Sequence, residues 1–81
     1  SSRRWPMSAQ PPASDALVSR LQEADAAQRA GRHREAVAAF AAAQALAPRD
    51  VSLGLALANA HTLAGEAEAA IRVLRETAAH A

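Results

Sequence analysis

The stretch ADAAQRAGRHREAVAAF, residues 24–40, recurs in altered form as ANAHTLAGEAEAAIRVL, residues 58–74. The offset between the two copies is constant, and the matched positions hold glycines and alternating small and large apolar residues. The matched pairs are Leu21 with Leu55, Ala24 with Ala58, Gly31 with Gly65, Ala36 with Ala70, Val37 with Ile71, and Phe40 with Leu74. A constant offset of this kind predicts that one supersecondary unit occurs twice.

The segments on either side of these glycines have the composition of helices. The chain is 51% hydrophobic but only 2% aromatic, and much of it is alanine, so we expect extensive helix around a thin core. Glycine can end a helix in the left-handed conformation, and Pro48 cannot continue one. We expect Ser14 or Asp15 to cap the first helix and Asp50 the third. The four predicted helices cover about residues 15–30, 34–46, 51–64 and 67–80.

The first fourteen residues, SSRRWPMSAQPPAS, differ from the rest because they contain three prolines and no apolar period. This composition predicts a flexible leader over residues 1–14, followed by a helical domain over residues 15–81. Met7 is a candidate native start, so the residues before it could belong to a tag. We interpret Trp5 as incidental, and the alternative is an anchor that docks on another surface.

The 34-residue period resembles the tetratricopeptide repeat. That family has small residues on the first helix, a glycine at its end, an alanine and a large residue on the second helix, and a closing proline. Residues 17–50 fit one repeat and residues 51–81 a second. The matching residues are Ala24, Gly31, Ala36, Phe40, Ala43 and Pro48 in the first repeat, and Ala58, Gly65, Ala70 and Leu74 in the second. The resemblance implies an all-α fold of two antiparallel helix-turn-helix hairpins stacked as a short right-handed α-solenoid. The alternative is an unrelated four-helix bundle with alanine-rich seams.

Two first-helix positions depart from this signature. The family's tryptophan position holds Arg20 and Gly54 in the two repeats, and its tyrosine position holds Ala27 and His61. A glycine inside a helix costs about 1 kcal/mol relative to alanine. We therefore expect weaker packing than in a consensus array.

The residue types that carry catalysis form no recognisable motif. The chain has no cysteine, no phosphate-binding glycine loop, no HExxH and no GxSxG. His33, His61 and His80 are too far apart for the i, i+4 pair of a helical metal site. We therefore expect no enzyme, no cofactor and no metal, and interpret His61 as a packed or half-exposed side chain.

The distribution of charged and apolar residues predicts which classes of partner the protein lacks and in which compartment it lies. The nine basic residues, all arginine, are interspersed with eight acids, so we expect no nucleic-acid partner. No apolar run reaches the roughly 18 residues of a membrane span, and no signal-peptide core follows Arg3 and Arg4. This pattern predicts a cytoplasmic protein without a membrane partner. Arginine-only basicity and abundant alanine indicate a GC-rich, bacterial source.

The resemblance implies a protein–protein interaction scaffold. In tetratricopeptide arrays the first helix of each repeat lines a concave groove that takes a peptide or a partner's helix. The groove residues carried over to this chain are Gln22, Asp25, Gln28 and Arg29 from the first repeat, and Leu55, Asn59 and Thr62 from the second. Because an acid would repel a carboxylate, Asp25 predicts no affinity for acidic C-terminal peptides.

The last helix supports a second hypothesis. It would display Ile71, Leu74 and Ala78 with no later helix in this sequence to cover them, whereas repeat arrays usually need about three repeats or a polar cap. Either the chain is a fragment of a longer protein or a second copy supplies the missing surface. Homo-oligomerisation is therefore an alternative function, and a regulatory appendage of a larger enzyme is another.

Overall fold

The computed structural model describes the backbone of residues 12–80 and the side chains of residues 15–80. Four α-helices follow one another, namely α1 (Pro12–Arg29), α2 (His33–Leu46), α3 (Val51–Leu63) and α4 (Ala67–His80). No strand occurs within residues 12–80, so the predicted all-α class is confirmed. Trp5 and Met7 lie outside the described residues.

The helix bounds agree with the predicted ones to within one residue, except at the start of α1. This helix begins at Pro12, three residues before the predicted start, so residues 12–14 are helical. Proline suits the first helical position because its missing N–H needs no partner there and its φ is already helical. The predicted caps Ser14 and Asp15 therefore lie inside the helix, where Asp15 is an acid of the first turn.

The third helix has the cap that the sequence predicted. Asp50 accepts a hydrogen bond from the Leu53 N–H at 3.2 Å and another from the Ser52 hydroxyl at 2.6 Å. These bonds favour the charged carboxylate, and the bond from the Ser52 hydroxyl contributes most. Together they hold the pKa of Asp50 below its ordinary value of 3.8. By contrast, Arg32 at the N-terminus of α2 makes no capping hydrogen bond with its side chain.

The turns within the two hairpins are built alike. Gly31 and Gly65 have φ angles of 77° and 80°, in the left-handed region that favours glycine. In each turn the glycine N–H donates to the carbonyl three residues back at 3.0 Å. The N–H of the next residue donates to the carbonyl five residues back at 2.8 Å. This pair of bonds is the Schellman motif, so the sequence repeat is also a repeat of backbone geometry.

The helices pack in series, α1 against α2, α2 against α3, and α3 against α4. Most of the core is alanine, and small side chains let helix backbones approach closely. The large buried residues are Phe40, Leu53, Leu57 and Val73. The buried alanines are Ala24, Ala27, Ala36, Ala39, Ala43, Ala58, Ala60 and Ala70.

Gly54 was expected to weaken the packing, but it lies in close contact with Thr77 of α4. A Cβ atom added to Gly54 would lie 2.8 Å from Cγ2 and 2.9 Å from Cβ of Thr77. Only glycine therefore fits without a shift of Thr77 or of its helix. Thr77 is 5% exposed, and its Oγ1 atom has no hydrogen-bond partner among the described residues.

Candidate functional site

The seven predicted groove residues lie on α1 and α3, which are not consecutive in the packing series. Gln28 is half-buried and the other six are exposed. Those six are Gln22, Asp25, Arg29, Leu55, Asn59 and Thr62. Every one of the seven can therefore be reached from solvent to some degree.

Two of the predicted groove residues on α1 pair with each other. The Arg29 Nε atom lies 3.1 Å from Asp25 Oδ2, and both side chains are more than half exposed. An exposed i, i+4 ion pair contributes only tenths of a kcal/mol, so a ligand could separate the two charges at little cost. This part of α1 offers a paired acid and base to a partner.

The exposed side of α3 carries an apolar stripe with an amide in its middle. Leu55 is 53% exposed and Leu63 is 50% exposed, and Asn59 lies between them at i, i+4 spacing, which places the three on one side of the helix. We call Leu55, Asn59 and Leu63 the α3 stripe. Thr62 lies beside it, and its hydroxyl donates to the Ala58 carbonyl at 3.0 Å.

Leu63 was missed at the level of sequence, because the groove positions were carried over from a family signature that did not include it. The spacing of eight residues from Leu55 was the available signal, since i, i+4 and i+8 share a helix face.

The last helix presents a second apolar surface. Ile71 is 49% exposed, Leu74 is 43% exposed and Ala78 is exposed. We call these three residues the α4 face. The opposite side of α4 is buried and consists of Ala70, Val73 and Thr77. Residues 12–80 therefore cover α4 on one side only.

A shallow open groove of about 470 Å³ runs between α1 and α2, with alanines among its lining residues. Its charged lining residues are already paired, Arg20 with Glu23 and Arg32 with Glu35 at 3.8 Å. The groove is open to solvent and does not enclose a small ligand as a binding pocket does.

His61 is paired with Glu66 across the Gly65 turn of the second hairpin. Its Nδ1 atom lies 2.8 Å from Glu66 Oε1, and the two side chains are 15% and 40% exposed. Within residues 12–80 no group of three His, Asp or Glu side chains is arranged to hold a metal ion. The four helices also include none that is long and apolar enough to cross a membrane.

No family model, curated protein or solved structure matches the chain. Its function is therefore inferred from its own residues.

Proposed function

We propose that this chain is a non-catalytic protein–protein interaction module of the tetratricopeptide type, whose two hairpins stack as a short right-handed α-solenoid. Two features support this arrangement. The turns at the two matched glycines form the same hydrogen bonds, and the family's small positions at Ala24, Ala36, Ala58 and Ala70 are all buried. Its partner is a peptide or a helix of another protein, and binding needs no cofactor.

The α3 stripe is the observation that carries this proposal. Leu55 and Leu63 are separated by two turns, or about 12 Å along the helix axis, and each exposes about half of its surface. They can bury two apolar side chains of a partner. Asn59 between them has an amide that can both donate to and accept from a peptide group.

The repeat relation adds α1 to the same binding surface. Leu21, Asp25 and Arg29 stand exactly one repeat before the three members of the α3 stripe. In a stacked solenoid these two sets face the same groove, and the Asp25–Arg29 pair then sets the charge preference at one edge. Because α3 packs against helices on two sides, the groove is preformed and binding requires little rearrangement.

A selection from a phage-displayed library of random peptides tests this function. Enriched peptides are synthesised and their affinity is measured by fluorescence polarisation against the wild type, Leu55→Glu and Asn59→Ala. We expect Leu55→Glu to weaken binding at least about tenfold. Leu74→Glu is the matched control, because it changes an exposed leucine on another helix. Peptides that bind Leu55→Glu as tightly as the wild type contradict the proposal, as does a selection without enrichment.

The charge of Asp25 excludes one class of partner. An exposed carboxylate repels the terminal carboxylate of a peptide, and the Arg29 guanidinium paired with it offsets part of that repulsion. We expect no measurable heat of binding in calorimetry with a peptide that ends in two acidic residues. Tight binding of that peptide would contradict the placement of Asp25 in the binding groove.

A further inference from the structure

The α4 face has the spacing of a helix–helix seam. Ala67, Ile71, Leu74 and Ala78 follow one another at intervals of four, three and four residues, and all four are exposed. This is the a and d spacing by which two helices pack along a common stripe. The two large residues lie in the middle of the seam and the two alanines at its ends.

Two opposite charges flank this seam on the same side. Glu68 follows Ala67 and Arg75 follows Leu74, so the two occupy equivalent positions one heptad apart. Both are exposed. The ion pairs formed within residues 12–80 involve other residues, so both charges are open to a partner.

This arrangement is complementary to itself in only one orientation. When two α4 helices cross antiparallel, Ile71 of one copy meets Leu74 of the other, and Ala67 meets Ala78. Glu68 of each copy then faces Arg75 of the other, which forms two opposite-charge pairs. A parallel crossing would instead place these two charges on opposite sides of the seam, where neither meets its counterpart, so no opposite-charge pair would form.

A head-to-tail contact between copies fits less well. In this molecule α2 is covered by α3, whose buried leucines include Leu53 and Leu57. The equivalent positions of the first repeat, on α1, hold Ser19 and Glu23, which are exposed and polar. The first helix of a second copy therefore lacks the apolar side chains needed to cover α4 as α3 covers α2.

We propose that a second copy of this chain docks antiparallel on the α4 face across a two-fold axis, with Glu68 of each copy paired to Arg75 of the other. The contact is isologous, as in most homodimers. This inference does not rest on the proposed peptide site, which lies on α1 and α3. A helix of 14 residues is about 21 Å long, so the contact is smaller than the roughly 1,600 Å² of a standard interface. We expect a dissociation constant on the order of 100 μM.

Sedimentation equilibrium over about 10 μM to about 1 mM tests the dimer. The wild type is expected to show a monomer–dimer equilibrium, and Leu74→Glu to weaken it at least about tenfold. The single variants Glu68→Arg and Arg75→Glu each place like charges opposite one another and weaken association. The double variant E68R/R75E restores it, because both pairs are re-formed with inverted signs.

Two controls separate the interface from the fold and from the peptide site. Circular dichroism checks that each variant keeps the helicity of the wild type, as substitutions of exposed residues should. Leu55→Glu changes an exposed leucine outside the α4 face and is expected to leave the dissociation constant of the dimer unchanged. A wild type that is monomeric at about 1 mM overturns the inference. A double variant that stays monomeric overturns the antiparallel pairing. Dissociation of the dimer by Leu55→Glu overturns the inference as well, because it shows that the interface includes α3.

Discussion

The two hairpins have the same turn but differ in what covers their second helices. Phe40 on α2 is 8% exposed, whereas Leu74 at the equivalent position of α4 is 43% exposed. The reason is the packing series, because α2 lies between α1 and α3 while α4 packs against α3. The same repeat position is thus part of the core in one hairpin and part of the surface in the other.

The hairpins also differ at the position that Gly54 occupies. In the second hairpin, a Cβ atom added to Gly54 would lie 2.8 Å from Cγ2 of the buried Thr77. The equivalent residues of the first hairpin are Arg20, which is exposed and paired with Glu23, and the fully buried Ala43. A position that holds a solvated charge in one copy is therefore a close contact in the other.

The largest effect should come from truncating the large residue of the second helix in the first hairpin. Phe40→Ala removes a buried aromatic ring and should cost about 3–5 kcal/mol, enough to unfold much of so small a domain. Leu74→Ala should cost less than about 1 kcal/mol because its site is half solvated. Urea unfolding followed by circular dichroism at low protein concentration measures both values. Equal losses would contradict the difference in burial.

The next effect concerns the close contact at Gly54. Gly54→Ala gains about 1 kcal/mol of helix propensity but overpacks against Thr77, which costs about 1–3 kcal/mol. We expect a net loss of stability in urea unfolding, partly recovered in the double variant G54A/T77A. Arg20→Ala at the equivalent position should change stability by less than about 0.5 kcal/mol. Stabilisation by Gly54→Ala alone would show that the helices do not approach so closely.

A third comparison concerns the feature that the hairpins share. Gly31→Ala and Gly65→Ala each place a side chain in the left-handed region, at a cost of about 1–2 kcal/mol. A Cβ atom added at either glycine meets no atom within 4 Å, so backbone strain alone sets both costs. We expect equal losses in thermal unfolding and smaller ones for asparagine, which tolerates this conformation better. A large difference between the two variants would show that the turns are not equivalent.

The smallest effect tests the helix cap that begins the second hairpin. Because hydrogen bonds lower the pKa of Asp50 in the folded protein, its contribution is complete above the unfolded pKa and is lost as pH falls through the folded pKa. Urea midpoints from about pH 6 to about pH 2.5 should therefore fall more steeply for the wild type than for Asp50→Asn. Parallel curves for the two proteins would show that Asp50 contributes nothing through its charge.

The candidate binding surfaces were only partly predictable. Asn59 and Leu55 were found from a repeat signature, but Leu63 was not, because exposure depends on which side of α3 the neighbouring helices occupy. The start of α1 was also misplaced. Pro12 was counted among the prolines of a leader, although proline is favourable at the first position of a helix.

The sequence by itself determined the helices, their turns and the cap of α3. These features depend on interactions within a few residues, namely the helix propensity of alanine, the positive φ of Gly31 and Gly65, and the carboxylate of Asp50. Only the tertiary structure decided that Leu63 is exposed and that Gly54 accommodates Thr77. The physical reason is that burial depends on which helices pack alongside, and equivalent repeat positions receive different neighbours.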